Sequence, residues 1–283
     1  MKSCEKFVSP KSDYYVYSPS MTAVNTFFYP LYSGHFIYEG GYSLYRSSYD
    51  SFLLMYIQSG SLTLEYEEKT IPVSAGEFVL IDCYKPHAYS SATGWESLWC
   101  HFDGLVARPY YTNVISHLGN VFSMTDHHSV MVISKLTSIY ETFHNNKAVK
   151  EALISKYLTD ILTSFLLYTP STVRTLDYTS MSENIISYIN EHFASPLSIE
   201  ELAEMSGLSQ YHFIRVFKKV TGFTPHEYII NTRLNTAKYL LKNSQLSIKD
   251  ICFNTGFSCE SVFCSSFKKN FNATPSQYRS MSE

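Results

Sequence analysis

Hydrophobic and polar residues change their rhythm twice along the chain. From about Tyr42 to Phe102 the apolar residues come in short runs, at 52–57, 61–66, 70–73, 78–81 and 97–102. Between them Gln58-Ser59-Gly60, Glu67-Glu68-Lys69 and Ser74-Ala75-Gly76-Glu77 read as turns. Many short strands at close, even spacing predict a β-sandwich or small barrel. Residues 1–30 are rich in Tyr, Ser and Pro, hold no period, and read as an arm or edge strand. After Gly104 the period turns helical: Val130, Ile133, Leu136, Ile139, Tyr140 and Phe143 form one stripe, and Leu153, Ile154, Tyr157, Leu158, Ile161, Leu162 and Phe165 another. Two such helices pack on the β-domain or on each other, and their remaining apolar area is a candidate dimer face. Residues 169–180 read as a linker, with Pro170 ending the preceding helix.

The C-terminal part of the chain repeats itself. The segment from Phe217-Lys218-Lys219 through Thr224-Pro225 to Tyr228 matches Phe267-Lys268-Lys269 through Thr274-Pro275 to Tyr278, and residues 199–209 match 248–258. In each copy apolar residues at i, i+3 and i+4 (Ile199, Leu202, Ala203; Ile248, Ile251, Cys252) predict a short helix. Gly207 or Gly256 then supplies the positive φ needed to leave it, and Ser209 or Ser258 stands where the next helix is capped. Gly222 has Asn272 as its counterpart, the next most tolerant residue of a left-handed conformation. Helix, glycine turn and capped helix make a helix-turn-helix, at about 198–220 and 247–270. One longer helix over 225–242, with Tyr228, Ile229, Leu234, Ala237, Leu240 and Leu241 inward, joins the two units. Such a rod can set two reading heads about one DNA turn, roughly 34 Å, apart.

The second helix of each unit is the one placed to enter a major groove by its N-terminal end. In the first unit it offers Ser209, Gln210, Tyr211, His212, Ile214 and Arg215, with Phe213 and Phe217 inward. Arg215 can fork onto guanine and Gln210 onto adenine. The second offers Ser258, Cys259, Glu260, Ser261 and Ser265, with Phe263 and Phe267 inward. Lys218-Lys219 and Lys268-Lys269 end the two helices, either as phosphate contacts or as plain helix-end lysines.

On these residues, above all Gly256-Phe257-Ser258, Phe267-Lys268-Lys269 and Thr274-Pro275-Ser276-Gln277-Tyr278-Arg279, the chain resembles the AraC/XylS family of bacterial transcription regulators that carry an N-terminal cupin-like effector domain. The likeness covers about residues 40–280. It implies an α+β chain: a cupin-like β-barrel with flanking helices at 1–168, a linker at 169–180, and an all-α domain of two helix-turn-helix units joined by a linker helix at 181–283. It also implies sequence-specific binding of double-stranded DNA by both units, usually in a homodimer, under control of a small molecule. Relatives usually carry Arg where this chain has Ser265, so the first unit, through Arg215, is expected to dominate specificity.

In the strand at 95–102, Trp95, Ser97, Trp99 and His101 alternate onto one face and Leu98, Cys100 and Phe102 onto the other. Sugar-responsive members of the family place an indole under the ligand ring at the position matching Trp99, and an Arg near ligand hydroxyls at that matching Arg46. The resemblance therefore implies a sugar-like effector, held by Arg46, His87, Trp95, Trp99 and His101; a core aromatic and a surface ion pair are the plainer readings of Trp99 and Arg46. His87 and His101, with Glu96 between them, invite an alternative reading as a cupin-type metal-dependent enzyme acting on a small polar substrate. The spacing lacks the His-x-His pair and later His that such sites use, and His127-His128 falls in the helical region. The expectation is no metal, no cofactor, no catalytic residue and no enzyme. No G-x-S-x-G, Walker-type loop or dinucleotide fingerprint is present.

Composition narrows the partners. With 22 Lys+Arg against 25 Asp+Glu in 283 residues, net −3, the chain as a whole does not attract nucleic acid, so DNA binding must rest on local placement. Residues 1–180 carry net −4 and residues 181–283 net +1. No apolar stretch approaches the ~18 residues of a membrane span, and no leader opens Met1-Lys2-Ser3-Cys4-Glu5, so no membrane partner and a cytoplasmic location are expected. Cys4, Cys83, Cys100, Cys252, Cys259 and Cys264 lack C-x-x-C spacing and read as reduced thiols.

Overall fold

A computed structural model describes residues 2–3, 5–168 and 178–281. It divides the chain into two compact units, Met1–Ser171 and Thr172–Glu283. Most of the expected linker, residues 169–177, lies outside the described residues.

In unit 1 the chain runs β1 (Asp13–Val16), α1 (Met21–Thr26), β2 (Tyr29–Glu39), β3 (Tyr42–Arg46), β4 (Phe52–Tyr66), β5 (Lys69–Ser74), β6 (Glu77–Asp82), β7 (His87–Ser91), β8 (Gly94–Asp103), α2 (Ala107–Leu118), β9 (Val121–Ser123), α3 (Asp126–His144) and α4 (Glu151–Leu167). The strands pair antiparallel in the order β1-β2-β8-β4-β6-β9, with β5 and β7 also on β4 and β3 on β7. β8 is the pivot, because it pairs with both β2 and β4 and is buried on both faces. Its Leu98, Cys100 and Phe102 pack with α2, α3 and α4, while Trp95 and Trp99 join a second core among the strands.

Several expectations shift. Gln58-Ser59-Gly60 is not a turn: β4 runs through it as a single strand, with a register shift between Ile57 and Ser59 against β8. The bulge bends β4 from its β6 partner to β5 and β7. Gly60, at φ 76°, lies so close to β8 that a Cβ would overlap the Gly94 carbonyl. β2, β3, β7 and β9 form strands in segments for which no strand was expected. In α3 the buried face starts at Val132, and Val130 is exposed, as is Leu153 in α4.

Unit 2 is helical: α5 (Tyr178–His192), α6 (Ile199–Met205), α7 (Gln210–Thr221), α8 (Pro225–Asn243), α9 (Ile248–Asn254), α10 (Glu260–Phe271) and α11 (Pro275–Ser280). It holds two small cores, one around Leu202, Phe213 and Phe217 and the other around Ile251, Phe263 and Phe267. α8 enters both, through Ile229 in the first and Leu234, Ala237 and Leu241 in the second. A capping box between Thr224 and Glu227 starts α8, and Thr274 with Gln277 repeats it at α11. Gly222 at φ 81° and Asn272 at φ 56° end α7 and α10 in the same left-handed conformation.

Capping of the reading helices differs from expectation. Ser209 occupies the N-cap of α7, but its hydroxyl makes no capping hydrogen bond. At α10 the N-cap is Cys259, not Ser258. The offset between the copies grows from 49 to 50 residues across this turn, and the added residue moves the helix start by one.

Phe263→Ala is expected to destabilise unit 2 by about 3–5 kcal/mol, since the ring is fully buried. Circular dichroism should report an earlier helical transition, while fluorescence from Trp95 and Trp99, both in unit 1, keeps its own midpoint.

Candidate functional site

Alternation along six strands builds a cavity of about 560 Å³ in unit 1. One face of each contributes: Tyr14 and Val16 from β1, Tyr32, Phe36 and Tyr38 from β2, Tyr42, Leu44 and Arg46 from β3, Leu53 and Met55 from β4, Tyr89 from β7, and Trp95, Trp99 and His101 from β8. Tyr49 completes the wall, and Ser3 and Glu5 reach it from the N-terminal segment, where the Tyr42 hydroxyl donates to Glu5 at 2.7 Å. Four of the five expected effector residues, Arg46, Trp95, Trp99 and His101, thus come together.

The two indoles have different surroundings. Trp95 is stacked on Tyr38 at 3.9 Å between ring centroids, so one of its faces is covered. Trp99 is held edge-on by Phe36 and lies over Gly34, its partner across β2 and β8. A Cβ at Gly34 would overlap the Trp99 ring. Both indole N–H groups are buried and without a hydrogen-bond partner among the described residues. Arg46 lies 4.6 Å over the Tyr49 ring. His101 bonds through Nδ1 to the Ser51 hydroxyl at 2.8 Å. Burial first, then the charge of Arg46 and the neighbouring His87, push its pKa down to about 3, so the ring is neutral at pH 7.

His87 does not line the cavity, which corrects the expected set. It shares a face of β7 with Tyr89 but is packed behind it, with ring centroids 5.6 Å apart. Its Nδ1 donates to the Lys85 carbonyl at 2.8 Å, and burial lowers its pKa. Glu96, which a metal reading would need beside His101, alternates to the other face of β8 and bonds His35 at 2.9 Å. Among the described residues no three of His, Cys, Asp and Glu come together as a metal site. Reading the sequence missed the tyrosines at 14, 32, 38, 42, 49 and 89; the period-two run Tyr32, Gly34, Phe36, Tyr38 carried the signal.

In unit 2 the candidate DNA interface is a pair of helix faces. Phe213, Val216 and Phe217 are buried on α7, and Ile214 is half-buried against the same core instead of facing outward. Ser209, Gln210, Tyr211, His212, Arg215, Lys218 and Lys219 are exposed. Arg215 sits 5.7 Å over the Tyr211 ring one turn earlier. On α10 and the turn before it, Ser258, Glu260, Ser261, Ser265, Lys268 and Lys269 are exposed, and so is Val262, an apolar group suited to a thymine methyl that the sequence reading passed over. Among the described residues no helix is long and apolar enough to cross a membrane.

The family description "AraC-like ligand binding domain" matches residues 34–162, and "Helix-turn-helix domain" matches 202–281. The chain is 27% identical over 253 residues to the Msm operon regulatory protein of Streptococcus mutans, covering 85% of this chain and 88% of that one. It is 25% identical over 250 residues to the lactose operon transcription activator of Staphylococcus xylosus, covering 84% and 85%. Regulatory protein SoxS of Salmonella typhimurium is 34% identical over 104 residues, covering 37% of this chain and 97% of that one.

Gly34→Ala should displace Trp99, seen as a shifted emission maximum; an unchanged spectrum would mean that the indole does not rest on β2. His101 has a folded pKa below its unfolded value of 6.5, so the unfolded chain binds the extra proton, and the associated stability is present above pH 6.5 and lost as the pH falls. Between pH 7 and pH 5 this single group should remove roughly 2 kcal/mol. Urea unfolding followed by tryptophan fluorescence should show a smaller acid loss in His101→Gln than in the wild type.

Proposed function

We infer the working of this protein from the AraC family of transcriptional regulators, to which it belongs: unit 2 reads DNA through α7 and α10, and unit 1 takes a small neutral polyhydroxy effector, a sugar. The observation that carries the effector reading is the cavity wall. Two indole rings and several tyrosine rings line it together with one cation, Arg46, and one carboxylate, Glu5, beside an uncharged His101. A ring with apolar C–H faces and a rim of hydroxyls matches that mixture better than an anion does. One relative being a lactose operon transcription activator supports the same class.

On DNA, Arg215 and Gln210 serve as base readers in the first unit, with Tyr211, His212 and Ser209 beside them. Ser258, Glu260, Ser261 and Ser265 make a weaker reader in the second. Lys218, Lys219, Lys268 and Lys269 lie at helix C-terminal ends, where they hold phosphates. Residues 1–168 form the effector-binding and dimerising domain, 169–180 the linker and 181–283 the DNA-binding domain of a cytoplasmic homodimer. Val130, Met131 and Leu153, exposed on α3 and α4, support a dimer face there. The effector acts by population shift: it favours one arrangement of the paired chains over another, and no bond is made or broken. The protein is accordingly a binder and not an enzyme.

A thermal-shift and tryptophan-fluorescence screen of neutral mono- and disaccharides, organic acids and amino acids tests the effector class. A neutral sugar should raise the melting temperature of unit 1 and change Trp99 emission; a response confined to organic acids would overturn it. On a duplex selected from a randomised pool by the full chain, Arg215→Ala should weaken binding by about 1–3 kcal/mol and relax preference at one position. Lys268→Ala should weaken binding to all sequences alike and flatten the salt dependence.

A further inference from the structure

We propose that Arg233 is a positioning residue that fixes the angle between the two DNA-reading helices by clasping the turn between α5 and α6. The inference rests on the reading that α7 and α10 both contact DNA. Arg233 stands on α8 between Ile229, which is buried in the first core, and Leu234, which is buried in the second. Its Nε donates to the Phe193 carbonyl at 2.7 Å and its Nη2 to the Ser195 carbonyl at 2.9 Å. The same guanidinium lies 6.0 Å over the ring of Phe257, a member of the second core.

The second unit touches that turn directly. A Cβ at Gly256 would stand 2.8 Å from the Ala194 carbonyl oxygen and 2.9 Å from its Cα. The equivalent Gly207 of the first unit has nothing within 4 Å of such an atom. Both glycines have positive φ, 66° and 84°, so each is needed for its own turn, but only Gly256 is also needed for a contact between units. Residues 193–195 are therefore gripped from α8 on one side and abutted by the second unit's turn on the other.

A shared helix alone leaves the second unit free to lean about α8's axis. A forked donor reaching two carbonyls of one turn removes that freedom, which a single ammonium cannot do equally well. The recognition helices then meet DNA with their mutual angle already set, and the entropy of aligning them is not lost on binding.

The test uses the full chain and a selected duplex carrying both boxes, the same duplex with roughly three base pairs inserted between them, and one with the α10 box scrambled. Wild-type affinity should drop about tenfold or more on insertion. Arg233→Met, which keeps a stem over Phe257, should lose affinity for the native spacing yet tolerate the insertion with less than about a threefold change, while Arg233→Lys falls between. Binding to the duplex with a scrambled box should stay within about twofold of wild type in both variants. A variant as sensitive to spacing as the wild type would overturn the clasp alone. A wild type indifferent to both insertion and scrambling would overturn the two-headed reading and the clasp with it. Should Arg233→Met fail to fold, Gly256→Ala against Gly207→Ala decides: both carry backbone strain, and only the former should relax the spacing dependence.

Discussion

The two halves of the duplicated unit are closed by one helix, because α8 buries residues in both of their cores. Its Ile229 closes the core around Phe213 and Phe217, and Leu234, Ala237 and Leu241 close the one around Phe263 and Phe267. Over nineteen residues the helix spans about 28 Å. This shared burial ties α7 and α10 to one helix. Phe213 and Phe217 point α7 inward, and so leave Tyr211, Arg215 and Lys218, one turn apart, outward.

A comparable two-sided constraint organises unit 1. β8 is hydrogen-bonded on both edges and buried on both faces, so each residue is committed by its parity. Leu98, Cys100 and Phe102 anchor α2, α3 and α4, and Trp95, Trp99 and His101 make the cavity wall. The bulge at Ile57 to Gly60 is what lets β4 serve β6 and β8 in one half and β5 and β7 in the other. Without a residue lacking Cβ at position 60 the strands could not approach closely enough.

Period and repetition were legible in the sequence, and context was not. The repeat gave both helix-turn-helix units, the left-handed Gly222 and Asn272 ends and the inward Phe residues, because each follows from local spacing. Alternation likewise placed Trp95, Trp99 and His101 on one face of β8. A bulge and a turn share the same glycine signal, and only the approach of Gly94 distinguishes them, so residues 58–60 read as a turn. β2 was hidden because its alternation is aromatic on one face and mixed on the other, with Pro30 near its start, and with it went Tyr32, Phe36 and Tyr38. His87 was misplaced because strand parity tells which face a residue takes but not how far along that face the cavity extends. The one-residue shift from Ser258 to Cys259 is present in the sequence as the changing offset between copies.

On the proposed function, α7 and α10, both held by α8, meet the same duplex. Hydrogen–deuterium exchange of the full chain with and without a selected duplex tests it most directly. Protection should appear in two separate stretches, the first turns of α7 and of α10, with the amides of β8 unchanged by DNA. Protection confined to α7, or spread over the strands of unit 1, would contradict it.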